Sequence, residues 1–126
     1  MENRVTGIGG IFFKAKDPKA MYAWYEKHLG MKHEPVVDFP WKDAETGEDA
    51  HTYWSLFKPD TKYMEPSTSS FMINYRVADM DAEVSALEAE GIKILDRQDD
   101  EYGRFAWIMD PEGNKIELWA PPKSKR

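Results

Sequence analysis

From Val5 to Ala15 the chain is rich in β-branched and aromatic side chains, which predicts a strand. It runs into Asp17-Pro18, a helix-capping side chain followed by proline where a first helical turn needs no N–H donor. Tyr22, Tyr25 and Leu29 then recur at spacings of three and four, so one face of the helix is built for burial, and Gly30 stops it. The same grammar returns later. Phe71 to Val77 reads as a strand, Asp79 caps a helix with Met80, Val84 and Leu87 on one face, and Gly91 ends it.

This is an internal repeat. The capping aspartates Asp17 and Asp79 lie 62 positions apart (79 − 17), and the segments starting at Trp54 (Trp-Ser-Leu-Phe-Lys-Pro) and Ile116 (Ile-Glu-Leu-Trp-Ala-Pro) keep the same offset (116 − 54). After the first helix, strands are predicted at Lys32 to Val37, around Phe39, and from His51 to Phe57. After the second they are predicted at Ile92 to Asp96, Arg104 to Met109 and Lys115 to Trp119. Asp110-Pro-Glu-Gly113 carries proline second and glycine fourth, a type I turn that makes the last two strands a hairpin. Residues 42–49 read as a polar loop, and Pro59 to Ser70 as a Pro/Ser/Thr-containing linker without periodicity. The expected organisation is an α+β domain of two tandem βαβββ modules, at 1–60 and 71–122, with a linker at 61–70 and a basic tail at 123–126.

The segment Tyr102-Gly-Arg-Phe-Ala-Trp-Ile-Met-Asp-Pro-Glu-Gly-Asn-Lys-Ile-Glu-Leu-Trp119 resembles the ending of glyoxalase-like proteins. The opening Lys16-Asp-Pro with Trp24-Tyr25 and Leu29-Gly30 is similar to their first module. With the repeat, these residues resemble the vicinal oxygen chelate superfamily of glyoxalases, bleomycin-resistance proteins and extradiol dioxygenases over nearly the whole chain. The resemblance implies a curled sheet forming a cup, helices outside, a ligand inside, and association into a homodimer. If Glu117 lines the cup, strand alternation puts Lys115 and Trp119 beside it and, through the repeat, Tyr53, Ser55 and Phe57. Ile116, Leu118, Trp54 and Leu56 then face the helices.

Metal-dependent members of that superfamily draw ligands from the first and last strand of each module, which here implies Gly10, Ser55, Met72 and Glu117. Only Glu117 is a good donor to a hard or borderline cation: glycine offers no side chain, serine is weak, and methionine sulfur suits soft ions. His51 shares the parity of Ser55, but four residues along a strand is about 13 Å, against a coordination bond of about 2 Å. His28, in the last turn of a helix, reads as a solvated residue favourable to the helix dipole, and His33 as a surface residue. No metal and no other cofactor is therefore expected.

The chain has 126 residues, 41% of them apolar and 13% aromatic, enough for one core. A net charge of −6, with basic residues clustered only at Lys123 to Arg126, argues against nucleic acid. Without cysteine there is no disulfide, thiolate nucleophile or Cys-ligated metal. No run approaches the roughly 18 apolar residues of a membrane span, and the start lacks a signal-peptide core, so a cytoplasmic protein is expected. No P-loop, nucleophile elbow, HExxH or dinucleotide fingerprint is present, and Asp96, Asp99, Asp100 and Glu101 read as a solvated loop rather than a calcium site.

Three functions stay open. The first is a metal-independent cup binding a small organic molecule, flat and cationic or amphiphilic, against Phe12, Tyr53, Met72, Trp107 and Trp119, with Ser55 and Asn74 as polar contacts. Several of these aromatics could equally be core. The second is a glyoxalase-like lyase or isomerase, or a dioxygenase-related enzyme, in which Glu117 is a base or metal ligand and Arg76, Lys14 or Lys115 serves as electrophile. The third is an interaction module. For Glu117 there are two outcomes: pairing with a fixed donor such as Asn74, Ser55 or a basic residue, or waiting for a ligand.

Overall fold

The computed structural model describes residues 4–122, so the basic run Lys123 to Arg126 lies outside the described residues. Strand β1 (Val5–Lys14) leads into α1 (Pro18–Leu29), followed by β2 (Val37–Lys42) and β3 (Asp49–Phe57). The second half repeats this with β4 (Phe71–Val77), α2 (Met80–Ala89), β5 (Asp96–Asp100), β6 (Gly103–Met109) and β7 (Lys115–Ala120). The strands form one curled sheet of seven in the order β2-β3-β1-β4-β7-β6-β5. β1 and β4, the corresponding strands of the two halves, meet antiparallel at its centre, and each pairs in parallel with the last strand of its own half.

The helices form where their caps and faces require. Asp17 accepts a hydrogen bond from the Ala20 amide at 3.1 Å and Asp79 from the Ala82 amide at 3.0 Å, satisfying amide groups that a helix start leaves without partners. Gly30 closes α1 in a left-handed conformation (φ 69°), and its amide bonds back to Glu26 at 3.0 Å. α1 places Tyr22 and Tyr25 on Trp54, Leu56, Ile11 and Phe13, while α2 places Met80, Val84 and Leu87 on Tyr75, Ala106, Ile108 and Leu118. One face of the sheet is thus covered by helices. The alternating residues of the same strands form the opposite, concave face.

Three expectations are corrected. Lys32 to Val36 is not a strand. Pro35 has no N–H for a ladder, and pairing begins only at Val37, giving a single strand through Phe39 and Trp41, so the first half contributes three strands rather than four. In the second half the strand expected at Ile92 to Asp96 lies at Asp96–Asp100 instead. The acidic stretch read as a solvated loop is therefore largely an edge strand, its five residues exposed, and charges on an exposed edge discourage pairing with another chain. Among the described residues no helix is long and apolar enough to cross a membrane.

Candidate functional site on the concave face

The concave face carries a row of aromatic rings. Tyr63, Trp107, Phe105, Trp119, Tyr53 and His51 follow one another with centroid spacings of 6.3, 6.1, 6.2, 6.2 and 5.6 Å. Phe105 lies nearly parallel to both tryptophans (11° and 8°) because strand alternation puts residues 105 and 107 on one side of β6 and residue 119 opposite 105 on β7. Trp107, one of the expected wall residues, faces this side.

Glu117 sits in the middle of this face, 2% exposed. Its register partners on the neighbouring strands are Asn74 and Trp107, and both donate to it: Asn74 Nδ2 to Oε2 at 2.6 Å and Trp107 Nε1 to Oε1 at 3.0 Å. The third donor comes from outside the sheet. The Tyr63 hydroxyl, on the segment read as a linker without periodicity, also donates to Oε1. A buried carboxylate is tolerated when its lone pairs are met in this way. Burial, followed by the nearby Glu117 charge, pushes the Tyr63 hydroxyl well above its ordinary 10.0, keeping it a neutral donor.

The neighbouring Met64 is 0% exposed and packs with Met72, Trp107, Phe12, Phe57, Leu95 and Phe105. Burying a methionine contributes roughly 1.5–3 kcal/mol. Residues 58–70 therefore form a strap across one end of the cup. It is tied at its surface by Lys115 Nζ to the Tyr63 carbonyl (2.8 Å) and by Ser69 Oγ to Asn114 Oδ1 (2.6 Å). The Lys115 ammonium is held below its ordinary value by burial, which the Glu117 charge opposes. The sequence held one signal for the strap: Tyr63-Met64 is the only pair of large apolar side chains between Lys58 and Ser70.

The remaining site residues separate into two groups. Phe12, Met72 and Trp107 pack around Met64 at the strapped end, whereas Tyr53 and Trp119 stand at the other. There they line a groove of about 270 Å³ with His51, Arg76, Tyr102 and Pro122, rimmed by Asp49 and Glu101. Arg76 lies with its guanidinium carbon 5.3 Å from the Trp41 ring centre, and its buried Nε has no hydrogen-bond partner among the described residues. His51 is fixed through Nδ1 to Asp38 at 2.8 Å. Burial raises the Tyr53 hydroxyl, with Asp38 adding to the shift. Ser55 does not join either group: its hydroxyl is 3.5 Å from that of Tyr22 on α1. Lys14 lies at the end of β1 beside residues 59–68, His33 stacks on Tyr22 of α1, and His28 lies tilted against Trp24.

The four positions that would hold a divalent ion do not fit one. A side chain at Gly10 would collide with the Phe12 ring, Ser55 is directed at Tyr22, and Met72 is sealed in the apolar cluster. The oxygens of Glu117 already face three donors. Among the described residues, no three His, Asp or Glu side chains are grouped as metal ligands would be.

The two halves around a β1–β4 seam, the helices on one face and the cup on the other agree with the glyoxalase-like domain model, which matches residues 10–119. The chain belongs to the glyoxalase-like domain family. Solved structures repeat its fold, that of the vicinal oxygen chelate superfamily. A variant of Streptomyces coelicolor methylmalonyl-CoA epimerase in complex with 2-nitronate-propionyl-CoA is 18% identical, with 97% of this chain and 99% of that chain covered and a TM-score of 0.70. Methylmalonyl-CoA epimerase from Mycobacterium tuberculosis is 19% identical, with 98% and 93% covered and a TM-score of 0.61. A selenomethionine form of methylmalonyl-CoA epimerase is 20% identical, with 98% and 100% covered and a TM-score of 0.64. No curated protein sequence matches the chain.

Proposed function

We propose that this glyoxalase-like protein binds a flat organic molecule on its concave face without the help of a metal ion. The observation that carries the reading is the groove at the open end of the aromatic row, where Tyr53 and Trp119 offer ring faces and Arg76 a partly buried cation. Aromatic stacking contributes about 0.5–1.5 kcal/mol per pair beyond area burial, and a small pocket orients its ligand through a few polar groups of this kind. Arg76 shares the groove with Glu101 and with Asp49, which pairs with Lys42 at 2.7 Å, so the groove carries both signs of charge, and shape and stacking select the ligand.

Native mass spectrometry of the purified protein, followed by titration of what co-purifies, tests the reading. Trp119→Ala should weaken binding about three- to tenfold, the factor equivalent to one lost stack. A protein that binds no aromatic compound, or one whose Trp119→Ala variant binds as before, rules it out.

A second reading is favoured by the central position of Glu117: acid–base chemistry beside a carbonyl, as in an epimerase or isomerase. The structural neighbours include an epimerase holding a CoA ester. In the strapped state, however, both Glu117 oxygens are already occupied by hydrogen bonds from Tyr63, Asn74 and Trp107. Deuterium exchange next to the carbonyl of an acyl-CoA, catalysed by wild type and lost in Glu117→Gln, would move this reading ahead.

A further inference from the structure

The strap gives Glu117 more than a hydrogen bond, because around the Tyr63 ring the cup presents every element needed to recognise a phenol. The ring stacks on Phe57 at 5.6 Å and 17°, and meets Trp107 edge-on at 6.3 Å and 87°. The Lys115 ammonium stands 5.6 Å from its centre, and Glu117 takes the hydroxyl proton's hydrogen bond. Beneath it, Met64 fills the apolar floor between Met72 and Trp107. Two of the three donors to Glu117 are sheet residues in fixed register, whereas the third belongs to a segment outside the sheet. Tyr63 is itself 40% exposed, so its ring can be reached from solvent.

We infer that Tyr63 and Met64 are a built-in occupant of a second subsite, and that this subsite takes a hydroxylated aromatic compound, which displaces the strap and donates its hydroxyl to Glu117. The inference rests on the reading that the concave face binds a flat organic molecule, and it adds the feature of the ligand that Glu117 selects. The aromatic row makes the two subsites continuous, since Phe105 stands between Trp107 at the strapped end and Trp119 at the open end. The displaced Tyr63 hydroxyl moves into water, where it keeps a hydrogen-bond partner, so no buried donor is left unmet by the exchange.

The test compares 2-naphthol with naphthalene, which has the same rings and no hydroxyl, by tryptophan fluorescence titration of the whole chain. In Tyr63→Phe the strap no longer competes for Glu117, so 2-naphthol should bind at least fivefold more tightly than to wild type, with no such gain for naphthalene. Adding Glu117→Gln to Tyr63→Phe should erase the preference for 2-naphthol. In wild type, 2-naphthol should speed trypsin cleavage at Lys62 as the strap lifts. Equal or weaker 2-naphthol binding by Tyr63→Phe, or the same gain for naphthalene, overturns the inference. Should Tyr63→Phe melt too low to titrate, trypsin cleavage of wild type at Lys62 provides the comparison: 2-naphthol should accelerate it and naphthalene should not, and equal effects overturn the inference. If binding depends on Trp119 and not on Tyr63, Met64 or Glu117, the inference fails while the broader reading stands; if neither probe binds any variant, both fail.

Discussion

Asn74 and Glu117 are register partners on β4 and β7, and the 2.6 Å bond between their side chains joins two parallel strands across the concave face. With Trp107 and Tyr63 also donating, the carboxylate acts in this state as a pin between β4, β6, β7 and the strap. Glu117→Gln preserves shape but removes the charge and turns one of the two acceptor oxygens into a donor. The variant should lose about 1.5–3 kcal/mol of stability in urea unfolding, the scale of a hydrogen bond to a charged group. An unchanged unfolding midpoint would mean that the three donors find other partners at no cost.

Gly9 leaves room for Asn74, which holds Glu117, and for the Trp119 ring of the groove. A methyl group there would collide with the Asn74 carboxamide oxygen and approach the Trp119 ring to 2.7 Å, and both side chains are fixed by their own hydrogen bonds. Overpacking of this kind costs about 1–3 kcal/mol. Gly9→Ala should therefore be destabilised by that amount and should also weaken ligand binding at Trp119. Retention of both properties would show that β1 shifts to make room.

The repeat was legible because its signals are local: Asp17 and Asp79 cap helices wherever they stand, and alternation along Lys115 to Trp119 assigns Glu117 and Leu118 to opposite faces. The strap was not legible as part of the site. Tyr63 and Met64 lie in a stretch without periodicity, and their burial depends on partners that are distant in sequence, as the separation of 54 residues between Tyr63 and Glu117 shows. Strand edges at 32–37 and 92–96 were misplaced for a related reason. At 92–96 the apolar content reflects packing of Ile94 against the core under α2, not ladder pairing.

The donor set at Gly10, Ser55, Met72 and Glu117 leads to an expectation for metal content. After exchange into metal-free buffer, elemental analysis should find well under one divalent ion per chain, and added zinc or manganese should leave the melting temperature unchanged. Any ion that binds the folded state with a dissociation constant a hundredfold below its concentration would stabilise it by about 2.7 kcal/mol, an easily measured shift. Such a shift that disappears in Glu117→Ala would place a metal at this carboxylate.

Alkaline pH should weaken the fold through Tyr63. The Tyr63 hydroxyl ordinarily ionises near 10.0, and in the fold burial, then the Glu117 charge, raise that value. In the unfolded chain the proton leaves near the ordinary value, so above about pH 10 the unfolded state binds fewer protons than the folded one, and stability falls as pH rises. Below pH 10 the contribution of the Tyr63–Glu117 bond is complete. Partial exposure of the ring puts its contribution near the lower end of the usual range, about 1.5 kcal/mol. Tyr63→Phe should accordingly be less stable than wild type by about that amount at pH 7 to 9. Because phenylalanine has no proton to lose, the gap should narrow progressively above pH 10, as wild type alone bears the cost of keeping Tyr63 protonated. Urea unfolding of both proteins at pH 8, 10 and 11 measures this. A gap that stays constant over that range, or widens with pH, would show that Tyr63 ionises no later in the fold than in the unfolded chain, and that its bond to Glu117 does not hold the strap.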